Sequence, residues 1–235
     1  MPESRRRRLS PVLLALSSLL QPLIFAAILL TPPASPRWGR AWALIAAIFA
    51  ATVWSLATLY PHDRGLLAER FKPPLQRGQP WPDRVVTALL LLGFVAAVRF
   101  VPEDVFVLHL MPAPPPLLAS LGLALVLLGW WIITGALRAN AFAAPVVKLQ
   151  KERGQRVIDD GPYAVVRHPM YAGAVLFEIG IPLWLGSYAG VLAAGVPIAI
   201  LLLRIAIEER FLVRELRGYA AYTTRVRSRL LPGVW

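Results

Sequence analysis

The fold turns on residues 170–203, MYAGAVLFEIGIPLWLGSYAGVLAAGVPIAILLL. This run is apolar for 34 residues and holds one charge, Glu178. A helix crossing the hydrocarbon core needs about 20 apolar residues, so the run is too long for one span. Gly180, Pro182, Gly186 and Gly190 offer places to bend. The sequence therefore predicts a helical hairpin, with arms near 170–185 and 190–204 and a turn near 185–190.

Outward from the hairpin, residues 11–30, 41–60, 85–101 and 117–134 read as four further spans, the last without a charge. The expectation is an all-α, polytopic integral membrane protein. It has about six membrane segments, the last two tightly paired, and a cytoplasmic C-terminal helix. Composition agrees: 57% of the 235 residues are hydrophobic and 16% charged, with mean hydropathy +0.58. Soluble domains carry about 25% charged residues. The chain has no cysteine, which excludes disulfides, thiolate-held metals or clusters, and a cysteine nucleophile. Arg5, Arg6, Arg7 and Arg8 before an apolar run suggest a cleaved signal peptide. The run is long, lacks a small-x-small cleavage site and precedes other spans, so a retained first span is expected.

The charge is the second constraint. Twenty-five Lys and Arg against 13 Asp and Glu give +12, which on a soluble protein would point to nucleic acid. Here 22 of the 25 basic residues fall on alternate connections. They occupy the N-terminus, the second connection (Arg64, Arg70, Lys72, Arg77, Arg84), the fourth connection (from Arg138 to Arg167) and the tail from Arg204. The first connection has only Arg37 and Arg40, and the third, residues 102–116, has none. The positive-inside rule places both termini and the second and fourth connections in the cytoplasm of an inner-membrane protein. The basic residues follow the membrane, so lipid headgroups are the expected polyanion and nucleic acid is not a partner.

The proline-rich outer connections read as rigid connectors, and His109 as a surface histidine. The Arg and Lys of the second connection, residues 61–84, read as lining the headgroups. His62 and Asp63 there have no partner that sequence can fix. The fourth connection ends in DDGPYAVVRHPMYAG, residues 159–173. Pro169 suits the first position of a helix, which puts His168 at its start and Tyr171 in its first turn. Free N–H groups and the helix dipole there suit an anion such as a carboxylate. An equally open reading has Arg167 snorkelling, His168 capping and Tyr171 as an interfacial aromatic.

The tail opens RIAIEERFLVRELRGYAAY, residues 204–222. Arg204 and Glu208 are spaced i,i+4, and their plain reading is a helix salt bridge worth about 0.3–0.5 kcal/mol. Carboxylates beside a membrane arm are also commonly turned inward and functional. Glu178 lies seven residues after Tyr171, on the same face and two turns deeper. It reads first as a buried residue paired with a neighbouring helix, second as a cavity lining.

GPYAVVRHPMYAG, then RIAIEERFL, then GYAAY, in that order, resembles the C-terminal half of the isoprenylcysteine carboxyl methyltransferase family. Phospholipid N-methyltransferases share the pattern more loosely. The resemblance covers roughly residues 140–232. It divides the chain into N-terminal transmembrane helices, 1–135, and a methyltransferase-like region, 136–235. It implies an integral membrane enzyme that uses S-adenosylmethionine in a cytoplasm-facing pocket, with a lipophilic substrate entering from the bilayer and no metal. Carried onto this chain, it implies that Tyr163, His168, Pro169, Met170 and Tyr171 border the cofactor. Gln155, Arg156, Val157 and Ile158 lie along it, where relatives often carry a His-x-Leu-Val-like run. Lys148 occupies a contact position, Glu208 binds from the other side, and Arg204 faces the substrate.

Carboxyl O-methylation of an isoprenylcysteine-like or isoprenoid acid is the leading reaction. A carboxylate nucleophile needs positioning and removal of water but no general base. Arg204 could hold it through two hydrogen bonds. A phospholipid, other amine or thiol acceptor is the alternative, and an amine would need a proton acceptor such as Glu178 or Glu209. An NADPH-dependent enzyme like the sterol reductases, which share the RHP-x-Tyr element, and a non-enzymatic carrier or scaffold are further readings.

Overall fold

The computed structural model describes residues 11–70, 72–76 and 78–235. Arg5, Arg6, Arg7, Arg8 and Arg77 of the charge pattern, and with them the start of the signal-peptide reading, lie outside the described residues. The described residues form helices α1 (Pro11–Leu29), α2 (Gly39–Leu59), α3 (Arg64–Arg70), α4 (Trp81–Glu103), α5 (Pro116–Ala139), α6 (Pro169–Leu185), α7 (Tyr188–Glu215) and α8 (Tyr219–Arg225), and no strand. A π-helical turn, Asp104–Leu108, extends α4.

Four helical stretches are long and apolar enough to cross a membrane: Gly39–Leu59, Trp81–Leu108, Pro116–Ala139 and Tyr188–Glu215. The apolar helices Leu19–Leu29 and Pro169–Leu185 are shorter. At 17 residues, α6 reaches about 25 Å, short of a hydrocarbon core of about 30 Å. Large apolar side chains point outward on several helices, among them Leu92, Leu117, Trp131, Leu192 and Val196. This is a membrane protein.

The hairpin turn falls where the glycines suggest. Gly186 closes α6 at φ +99°, a left-handed conformation that lacks a Cβ penalty only for glycine. Ser187 then caps α7, its Oγ accepting from the Gly190 N–H at 2.7 Å. Two details differ from the sequence expectation. The arms α6 and α7 touch, but α6 packs mainly along α5, and α7 along α4. The second arm also does not stop at residue 204. After Pro197 no proline or glycine interrupts the chain until Gly218, so the apolar arm and the polar tail form one 28-residue helix, α7.

The α5–α6 seam explains the partner choice. Gly122 and Gly129 of α5 face Gly180 and Gly173 of α6 in antiparallel register. A Cβ on Gly180 would sit 2.5 Å from the Gly122 carbonyl oxygen, and one on Gly173 2.5 Å from that of Gly129. The backbones are in contact, as small residues permit between membrane helices. The core beside this seam contains Leu29, Leu44, Ile48, Val101, Val126 and Ile181. At the opposite end of the helices, α8 folds back so that Tyr219 and Tyr222 pack on Leu149, Val157 and Leu212. The last residues run beside the start of α6, where the Arg167 and His168 N–H groups donate to the carbonyls of Ser228 and Arg229 at 3.0 and 2.9 Å.

Candidate active site

A cavity of about 360 Å³ opens between α4, α6, α7 and the loop 140–158. This lies within the range of small-molecule sites. Its polar end is lined by the loop, by Tyr163, Tyr219 and Tyr222, and by Glu208. Its apolar end lies between Leu90 and Leu91 of α4, Ala174 and Glu178 of α6, and Leu201 of α7.

The candidates Lys148, Gln155, Arg156, Val157, Ile158, Tyr163, His168, Met170, Tyr171, Arg204 and Glu208 all line this one cavity. Pro169 does not. It is buried at the first position of α6, where its role is to start the helix.

Adjacent side chains on α7 have different tasks. Glu209 accepts from Arg167 Nε at 2.6 Å and Arg229 Nε at 2.8 Å, and its Oε1 lies 3.2 Å from His168 Nε2. Arg167 also donates from Nη1 to the carbonyls of Val226 and Arg227, at 2.7 and 2.8 Å. Arg167 therefore does not snorkel: it ties the start of α6 to α7 and to the C-terminal strand of loop. Glu209, with three partners, is a tether and a poor proton acceptor. Glu208 turns the other way and accepts from the Tyr171 hydroxyl at 2.6 Å. The Tyr171 ring stacks on His168, with centroids 5.5 Å apart and planes at 11°. Burial pushes the Tyr163 phenol up to about 12, so it is a neutral hydrogen-bonding group at neutral pH.

Arg204 does not pair with Glu208. Its Nε lies 3.2 Å from Asp83 Oδ1, and its Nη2 donates to the Pro145 carbonyl at 2.7 Å. The guanidinium lies 5.8 Å from the centre of the Tyr171 ring. The spacing was legible, but the partner sits 121 residues away in sequence.

The second connection carries the largest correction. Its charges do not simply line a headgroup layer. Asp83 is fully buried at the start of α4. Besides Arg204 it accepts from the Val147 N–H at 3.0 Å and from Gln79 Nε2 at 2.6 Å. Glu69 is buried and holds Lys72 at 2.6 Å and Lys148 still more closely. Burial alone would raise its pKa, but the two ammonium groups hold it below the usual carboxylate range. The Lys148 ammonium, also 2.9 Å from Gln76 Oε1, is thus committed to the 61–84 connection. Arg70 is the residue the sequence reading missed. It faces the cavity, and among the described residues its side chain forms no hydrogen bond or ion pair. Burial, with Arg204 nearby, pulls its pKa below the ordinary guanidinium range. A sequence signal did exist: Glu69, Arg70 and Asp83 flank membrane spans, where ionisable residues tend to turn inward.

His109 is exposed in the left-handed region at φ 48°, its ring Nδ1 3.1 Å from the Asp104 carbonyl. Glu178 is buried without the helix partner expected of it: its Oε2 has no hydrogen-bond partner. Among the described residues no cluster of His, Asp and Glu suits a metal.

A polar cavity closed by apolar membrane helices, with tyrosines and one free-facing carboxylate at its mouth, suits a membrane transferase. Residues 117–217 match the phospholipid methyltransferase family model, a segment that contains α5, α6, α7 and the loop 140–158. The chain is 26% identical over 114 residues to protein-S-isoprenylcysteine O-methyltransferase B of Arabidopsis thaliana, which covers 47% of this chain. The match spans 58% of that relative's length. Both comparisons support the resemblance carried by the RHPMY and EERFL elements. The C-terminal half of this chain is similar to membrane methyltransferases of the isoprenylcysteine and phospholipid type.

Proposed function

We propose that the protein is an S-adenosylmethionine-dependent carboxyl O-methyltransferase that acts on a lipophilic acid entering from the bilayer. The observation that carries this reading is the pair of guanidiniums, Arg70 and Arg204, on one cavity. Arg204 is already neutralised by Asp83, whereas Arg70 has no anionic partner among the described residues. Arg70 is half-buried on the cavity wall without a counterion, and a substrate carboxylate would supply one through charge-assisted hydrogen bonds. The sequence assigns this carboxylate to Arg204 alone; Arg70 is its more available holder.

The donor set fits the cofactor. Glu208 can accept from an ammonium or a ribose hydroxyl. Tyr163, Tyr219 and Tyr222 offer faces to an adenine or a sulfonium. The cofactor would supply an electrophilic methyl group. Tyr171, fixed by Glu208 and His168, orders the wall between cofactor and acceptor. Arg70 and Arg204 orient the acceptor carboxylate, and the apolar walls exclude water. A carboxylate gives up no proton, which agrees with Glu209 being occupied.

In this reading α1 and α6 are also embedded, α6 held at depth by its seam with α5, which gives six membrane segments. The basic connections place the termini and the polar end of the cavity in the cytoplasm of an inner-membrane protein. The test is to incubate the detergent-purified chain with methyl-labelled S-adenosylmethionine and a farnesylated cysteine derivative or a long isoprenoid acid. Label in the lipid that alkali releases as methanol is expected. Alkali-stable label would replace this reading with the amine or thiol alternative, and absence of cofactor binding would end it.

A further inference from the structure

Glu178 is not used by the reaction above, yet it is 92% buried on α6 and belongs to the same cavity. It lies seven residues beyond Tyr171, about 10 Å further along the helix axis. Also on the cavity wall are Leu90 and Leu91 of α4, Ala174 of α6 and Leu201 of α7, none with a side-chain donor. On its other side is a small recess lined by Phe94, Val98, Ile181 and Pro197, also without a donor. Thr87 also lines the cavity and accepts from Gln79 Nε2 at 3.4 Å, but no hydrogen bond joins it to Glu178. The Oε2 atom thus has its hydrogen-bonding capacity unmet on a residue that lines the cavity. An unmet buried carboxyl is destabilising, and intramembrane ionisable residues that persist generally face a pathway or a ligand.

The geometry points to Glu178 as an acceptor-recognition residue: we propose that the lipid substrate carries a hydrogen-bond donor, a hydroxyl or an amide N–H, partway along its chain, and that Glu178 accepts from it. This rests on the reading of the cavity as an acceptor site. With its carboxylate near Arg70 and Arg204, a lipid running toward the apolar end would bring its mid-chain past Glu178. A plain alkyl or prenyl chain leaves the carboxyl unpaired, and a chain bearing a donor does not. The site therefore takes both kinds of chain but prefers the donor-bearing one, because a plain chain leaves its polar group unsatisfied. The proposed class is a hydroxylated or amide-bearing lipid acid.

The test measures binding of radiolabelled stearic acid and of a mid-chain hydroxystearic acid to the full chain in detergent, with no turnover required. The hydroxy acid is expected to bind about ten-fold more tightly. Glu178→Leu should abolish the preference, and Glu178→Gln, which keeps a carbonyl acceptor, should retain most of it. Equal binding of the two acids by the unaltered chain would overturn the proposal and leave a buried water as the partner of Glu178. A preference that survives in Glu178→Leu would overturn it too. Methyl-ester formation is scored separately. Preference without ester formation would sink the carboxyl reading and keep the subsite. Ester formation without preference would do the reverse.

Discussion

The α5–α6 seam and the α4–α7 side of the bundle solve the same problem in opposite ways. In the seam, Gly122, Gly129, Gly173 and Gly180 remove side chains so that two backbones touch, and no space or polar side chain is left between them. On the other side, α4 and α7 are also closely packed, but they and α6 enclose a cavity with Asp83, Glu178, Arg204 and Glu208 on its walls or in contact with them. One face of α6 is closed by the absence of side chains. The other is kept open by side chains that need partners. The contrast teaches that the seam is a fixed post against which a binding site is built, so damage to each should read out differently.

The most severe break in that contrast should come from Asp83→Ala. It strips a buried arginine, a backbone N–H and Gln79 of their shared acceptor, and should cost about 3–5 kcal/mol. A thermal melt of the detergent-solubilised chain checks this. An unchanged melting temperature would mean that Arg204 finds another anion. Gly129→Leu tests the seam itself. Overpacking where backbones already touch should cost about 3 kcal/mol, seen as loss of monodisperse protein on size exclusion. Full retention would show that α5 and α6 can separate cheaply.

A smaller effect is expected of Glu69→Gln, which removes the carboxylate that accepts from Lys148 and Lys72 and anchors them. Because the folded group titrates below its unfolded value of about 4.3, its contribution is present above that pH and lost as pH falls through the folded value. The variant should therefore be less stable than the parent by about 2 kcal/mol at neutral pH. The gap should close in acid, as followed by melts from pH 7 downward. The subtlest on stability is Arg70→Gln. It should leave the melting temperature unchanged while lowering kcat/KM for an acid acceptor by about ten- to hundred-fold. A shift in melting temperature with unaltered kinetics would assign Arg70 to the scaffold.

Much of this architecture is legible without coordinates. Hydropathy marks the spans, because a helix in lipid must satisfy its backbone internally and present apolar side chains. Gly186 marks the hairpin turn, because only glycine takes φ +99° without strain. The candidates from Lys148 to Glu208 converge, with Pro169 the exception, because Tyr163 to Tyr171 and Arg204 to Glu208 are local groups on two helix ends that the hairpin must bring together.

The partner of each charge is a different matter. Glu208 and Glu209 are adjacent in sequence and about 100° apart around the helix axis. Which one meets Tyr171 and which meets Arg167 depends on the rotation of α7 against α4 and α6. Arg204 likewise follows the i,i+4 rule on paper, yet takes Asp83 because α4 delivers a fully buried carboxylate to it. Arg70 gains its place only when α3 folds under the cavity. The sequence by itself determined a membrane bundle, which follows from local hydrophobicity, and its motifs marked most of the groups that line the cavity, Arg70 apart. Only the tertiary structure decided which of those groups are tethers, which face the cavity and which, like Glu178, are left without a partner. Pairing in a medium without water is set by which helices lie side by side.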